Sequence, residues 1–125
     1  MNDLKVREPK IIFFSGAKGG CGCSFIADSI AAYFSMKTNK NVVLLDLSLG
    51  KKDSRLVFGV PNENCRDWGD IEDIVDELDN KLLRRLVINF ESSLNLILPS
   101  LRVEKNKIFT SGNLGKLLDS LRENF

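Results

Sequence analysis

Apolar positions along this chain change period several times, and each change marks an element. Residues 10–15 (Lys10-Ile11-Ile12-Phe13-Phe14-Ser15) form a short β-branched and aromatic run that predicts a strand. From Ser24 to Met36 the spacing becomes helical, with Ile26, Ile30, Ala31 and Phe34 on the side expected to pack on a sheet. Asp28, Ser29 and Ser35 are expected to point away. After a polar connection, residues 41–46 read as a second, fully buried strand that ends on Asp46. Strand, helix, strand predicts a parallel βαβ unit with a right-handed crossover.

Residues 48–53 are turn-rich and polar, and a short apolar element at 55–59 is stopped by Val60-Pro61-Asn62. Residues 70–78 place Ile71, Ile74, Val75 and Leu78 at helical spacing behind an acidic face. Residues 80–87 continue with Leu82, Leu83 and Leu86, with Arg84 and Arg85 on a basic face. Residues 94–98 read as a third strand, and 112–124 as a last helix with Leu114, Leu117, Leu118 and Leu121 inward. The fold class expected is α/β, a parallel sheet with flanking helices. About three strands are fewer than the usual 5–6. The expectation is an incomplete half-domain: residues 1–9 an N-terminal extension and 10–125 the N-terminal part of a domain that something else completes.

Composition narrows the chemistry. The chain has 125 residues, 43% of them hydrophobic, which suits one globular domain, and 18 basic against 17 acidic residues give no reason to expect a nucleic-acid partner. The absence of histidine excludes histidine triads, general bases and metal ligands. No apolar run reaches the roughly 18 residues of a membrane span, so a cytoplasmic location without an intrinsic membrane segment is expected. The 3 cysteines match no zinc or C-x-x-C spacing and read as reduced thiols. The Lys51-Lys52 pair reads as a solvated loop.

Between the first strand and the first helix lies Ala17-Lys18-Gly19-Gly20-Cys21-Gly22-Cys23-Ser24. The phosphate-loop pattern G-x-x-x-x-G-K-[ST] uses small residues so that backbone N–H groups converge on phosphate oxygens, a lysine for charge, and a hydroxyl for magnesium. This chain departs from it twice, with Ala17 for the first glycine and Cys23 for the lysine. Strand, glycine loop and helix are nonetheless the required setting, and a helix N-terminus attracts phosphate without the lysine. In a parallel sheet both the loop and Asp46 fall at the carboxyl ends of strands, a plausible shared site for magnesium and phosphate. Cys23 is read as a small residue that fits the turn; a reactive thiol beside the helix N-terminus is the alternative.

Lys18-Gly19-Gly20-x-Gly22-x-Ser24, residues 26–34 and residues 42–46 together resemble the deviant Walker A proteins of the MinD/ParA group, P-loop NTPases. Lys18 is the specific mark, because in that family it reaches the partner's phosphates across an ATP-sandwiched dimer. Residues 80–87 (Asn80-Lys81-Leu82-Leu83-Arg84-Arg85-Leu86-Val87) and 92–99 (Ser92-Ser93-Leu94-Asn95-Leu96-Ile97-Leu98-Pro99) resemble the CpaE/TadZ branch, which positions pilus-assembly machinery. The resemblance runs over residues 10–125 and about half of a family ATPase domain.

It implies ATP or ADP with Mg²⁺ held by Lys18, Gly19, Gly20, Cys21, Gly22, Cys23, Ser24 and Phe25, with Ser24 and Asp46 on the metal. It also implies a nucleotide-dependent homodimer, pilus-assembly or polar-localisation partners, and recruitment to the inner face of the membrane or a cell pole. The family's D-x-D is Asp46-Leu47-Ser48 here, so the carboxylate that polarises attacking water is replaced by Ser48. With the loop lysine also replaced, the expectation is ATP binding with weak or absent hydrolysis. Two alternatives stand: an active ParA-type partitioning ATPase and a nucleotide-free interaction scaffold.

Overall fold

A computed structural model of the chain describes residues 9–17, 22–48, 53–61, 79–91, 93–99 and 111–125. The elements are α1 (Cys23–Lys37), β1 (Val42–Leu45), α2 (Asp53–Val57), α3 (Asn80–Leu86), β2 (Ile88–Glu91), β3 (Leu94–Ile97) and α4 (Ser111–Asn124). The strands form one sheet in the order β1-β3-β2. β1 and β3 pair in parallel, with Val42 opposite Leu94 and Leu45 opposite Ile97. β2 folds back antiparallel on β3, which adds an antiparallel edge to the expected parallel pairing and makes the sheet mixed.

Alternation along the strands sorts side chains into two cores, one on each face of the sheet. On one face Val43, Leu45 and Ile97 pack with Leu83 and Val87 around α3 and with Leu117 and Leu121 of α4. On the other, Val42, Leu44, Leu94, Leu96 and Leu98 pack with Ala31 of α1 and Phe58 just past α2. β3 is buried on both faces, which its nearly continuous apolar run requires. At the β2–β3 pair, Asn89 Nδ2 donates to Asn95 Oδ1 at 3.0 Å, which satisfies a polar pair on an otherwise apolar strand.

Local chemistry sets the ends of α3. Asp79 is its N-cap, and Asp79 Oδ1 accepts from Leu82 N at 2.8 Å. Arg84 and Arg85 lie in its last turn, where cations complement the helix dipole. The Arg84 guanidinium also sits 5.7 Å from the centre of the Phe125 ring, which ties α3 to the end of α4.

Two expectations are corrected. Residues 10–15 form no strand, and Ile11, Ile12 and Phe13 are 53%, 58% and 79% exposed. A β-branched run becomes a strand only where a neighbouring strand accepts its hydrogen bonds. Among the described residues nothing pairs with it, nor with the outer edge of β1. The second correction concerns the inward face of α1. Ile26 and Phe34 are exposed, while Asp28 is buried with Ala31. Ser35 is part-buried and hydrogen-bonds Ser93 through its hydroxyl and its carbonyl, each at 3.0 Å. α1 therefore seats on β1 and β3 through Ala31 and Ala32, with Ser35 bonded to Ser93 just before β3 and Asp28 bonded to Ser54 of α2.

The helix expected at 70–78, the Lys51-Lys52 pair, Asn62, and Lys18, Gly19, Gly20 and Cys21 of the loop lie outside the described residues.

Candidate functional site

The described part of the glycine loop ends in a conformation that demands glycine. Gly22, the N-cap of α1, has φ 82° and ψ 13°, in the left-handed region, with open space where a Cβ would stand. No side chain caps the helix there, so the N–H groups of its first turn are not satisfied by the usual Ser or Asp device. The first intrahelical bond runs from Ile26 N to Gly22 O at 3.0 Å. Cys23 and Ser24, both half-buried, open the helix, and Cys23 is a free thiol. Phe25, included in the expected site, turns a 67% exposed ring outward.

α1 runs from the carboxyl ends of the strands to their amino ends. Near its C-terminus Ser35 bonds Ser93, which immediately precedes β3. In its second turn Asp28 bonds Ser54, whose neighbour Arg55 bonds the carbonyl of Pro99, two residues past β3. Ser24 and Asp46 thus occupy the same end of the sheet, the end at which α/β folds bind ligands.

Asp46 is anchored in that position by its backbone N–H, which donates to Ile97 O at 3.0 Å and extends the parallel ladder by one bond. Its side chain closes a tight turn, with Asp46 Oδ1 accepting from Ser48 N at 2.9 Å and from Ser48 Oγ. Ser48 is thereby folded back on Asp46.

Among the described residues no group of three or more His, Cys, Asp or Glu could hold a metal ion on its own. The two oxygen donors expected there, the Ser24 hydroxyl and the Asp46 carboxylate, are of the hard kind that magnesium takes beside waters and phosphate oxygens.

Sequence reasoning missed one cluster at this end of the sheet. Ser54 Oγ donates to Asp28 Oδ1 at 2.8 Å, and both residues are buried. Arg55, also buried, donates from Nη2 to Pro99 O at 3.1 Å and from Nη1 to Pro61 O at 3.5 Å. The signal available was the stripe Ser24, Asp28, Ala31, Ala32, Ser35, which competes with the apolar stripe for the inward face at the same helical period.

A mixed sheet with α1 and α2 on one face and α3 and α4 on the other is the fold of a ParA-like P-loop NTPase fragment. In particular, the chain is similar to the solved structure of a ParA family ATPase from Chlorobium tepidum TLS, with a TM-score of 0.73 and 30% sequence identity. The match covers 88% of this chain and 45% of that one, so the chain spans less than half the length of that relative. No family model matches the chain, and no curated protein matches it. No helix among the described residues is long and apolar enough to cross a membrane.

Proposed function

We propose that the chain is the N-terminal part of a MinD/ParA-like nucleotide-binding domain that binds ATP with Mg²⁺ and turns it over weakly or not at all. The observation that carries this reading is Gly22, held left-handed at the uncapped start of α1 with Ser24 in the first turn. The similarity to a ParA family ATPase supports it.

Lys18, Gly19, Gly20, Cys21, Gly22, Cys23, Ser24 and Phe25 would hold the nucleotide, with backbone N–H groups and the helix dipole opposite its phosphates. Ser24 and Asp46 would hold the magnesium, which supplies charge neutralisation at the phosphates when bound. Replacing the loop lysine by Cys23 removes one charge-assisted contact, worth about 1.5–3 kcal/mol. That is roughly ten- to a hundred-fold in affinity, a loss that backbone donors, magnesium and Lys18 can outweigh. Phosphoryl transfer suffers more, because it depends on charge stabilisation and on an oriented nucleophile, and Ser48 is committed to Asp46.

The rest of a ParA-type domain would cover the outer edge of β1, the run at 10–15 and the outward side of α1. Those surfaces expose Phe13, Phe25, Tyr33 and Met36, while the relative extends well beyond the matched part. The finer reading is a localisation switch of the CpaE/TadZ type, in which an ATP-bound homodimer bridged by Lys18 recruits pilus-assembly or polar partners. It rests on residues 80–87 and 92–99.

Phosphate release at saturating MgATP tests the turnover claim. The expected result is release indistinguishable from that of Ser24→Ala. Steady release abolished by Ser24→Ala would replace this reading by an active partitioning ATPase.

A further inference from the structure

α2 is five residues long, yet it is fastened to three parts of the molecule. Ser54 joins it to Asp28 in the second turn of α1, at 2.8 Å. Arg55 joins it to the carbonyl of Pro99 beyond β3, at 3.1 Å. Phe58, one residue past its end, packs with Ala31, Leu94, Leu96 and Leu98. Pro99 stands two residues past Ile97, whose carbonyl accepts from Asp46 N at 3.0 Å, so the Arg55 bond also ties α2 to the strand end that bears Asp46. α2 therefore links the helix that opens at the glycine loop to the strand ends that carry the candidate metal carboxylate.

A polar bond at the centre of that link is costly unless it does something packing could not. Asp28 is 1% exposed and Ser54 2%, and a carboxylate withdrawn so far from water must be compensated by hydrogen bonds. A hydroxyl donating to a carboxylate oxygen has a defined direction and length, and buried polar groups of this kind fix register in some folds.

We infer that Asp28 and Ser54 are positioning residues: they set where α2 seats on α1, and so where the Asp46–Ser48 turn stands relative to the start of α1. They act on the magnesium-dependent part of nucleotide binding without touching the nucleotide. The inference rests on the nucleotide reading for its effect on affinity, but its effect on the turn does not need a ligand.

The Ser48 amide, which donates to Asp46 Oδ1 at 2.9 Å, reports the turn directly. Hydrogen exchange at that amide in the nucleotide-free protein, and the ATP dissociation constant with and without Mg²⁺, are compared in the wild type, Ser54→Ala, Ser54→Thr and Asp28→Asn. Global stability from urea unfolding is measured alongside. The expected result for Ser54→Ala is Ser48 exchange faster by roughly tenfold beyond any global change, the size of losing a hydrogen bond of ordinary strength. Affinity should fall several-fold with Mg²⁺ and hold within about twofold without it. Asp28→Asn, which keeps the side-chain shape, should act in the same direction, and Ser54→Thr, which keeps the hydroxyl, should restore wild-type values. Ser48 exchange that changes only in step with global stability would overturn the inference and leave the pair a packing feature. Equal losses of affinity with and without Mg²⁺ would overturn it as well. A wild type that binds no ATP would overturn the nucleotide reading alone, and the Ser48 amide would still decide the positioning claim.

Discussion

The two sides of this molecule are finished to different degrees. Around β3, Leu83, Leu96, Ile97, Leu98 and Leu117 have no exposed surface at all. On the side that feeds the glycine loop, Ile11, Ile12 and Phe13 lie open and α1 turns Phe25, Ile26, Tyr33 and Met36 outward. The residues are equally apolar on both sides; what differs is whether a partner stands opposite them. β3 has a strand on each edge and helices on each face, whereas the outer edge of β1 has no partner among the described residues. A core can thus close locally around its central strand while the elements next to the glycine loop leave apolar side chains exposed.

That comparison is easiest to break in its closed half. Leu96→Ala should lower the free energy of unfolding by about 2–5 kcal/mol, the cost of deleting a fully buried leucine. Urea titration monitored by circular dichroism measures it, and a loss below 1 kcal/mol would mean that the closed core is not closed. Gly22→Ala stands between the two halves. Forcing an alanine into the left-handed region should cost about 1–2 kcal/mol in the same titration. It should also weaken MgATP binding, since relaxation of that strain would displace the start of α1. A smaller effect is expected at the edge of the closed core, where Asp79→Ala removes the cap of α3 and should cost about 1 kcal/mol. On the open side, Ile12→Ser should change stability by no more than about 0.5 kcal/mol in the 125-residue chain. A cost comparable to that of Leu96→Ala would show that residues 10–15 are already packed in solution, and the contrast between the two sides would fail.

Most of the closed half was legible in the sequence. Residues 94–98 and 112–124 announced a strand and a helix with its leucines inward, and the structure places β3 and α4 there. β2 was missed because Ile88-Asn89-Phe90-Glu91 follows a helix directly and becomes a strand only by folding back on β3. On the open side, pattern alone misled. The run at 10–15 has the composition of a strand, but strand formation depends on a neighbour that no local pattern specifies. In α1 two stripes competed at one period, and the polar one won inward because Ser54 and Ser93 supply partners from distant parts of the chain.

The candidate site divides in the same way. Gly22, Ser24 and Asp46 could be read from the glycine loop and from a strand ending on a carboxylate. The return of Ser48 onto Asp46 and the Asp28–Ser54 bond depend on where the chain folds back, which spacing does not encode.

The central claim is that the phosphate cradle persists although its lysine is gone. Calorimetric titration of the protein with ATP in the presence of Mg²⁺ tests it most directly, with Cys23→Lys run alongside. The account predicts saturable binding by the wild type, strengthened roughly ten- to a hundred-fold in Cys23→Lys, where the missing charge is restored. Absence of binding in both proteins would contradict it and leave a nucleotide-free scaffold in its place.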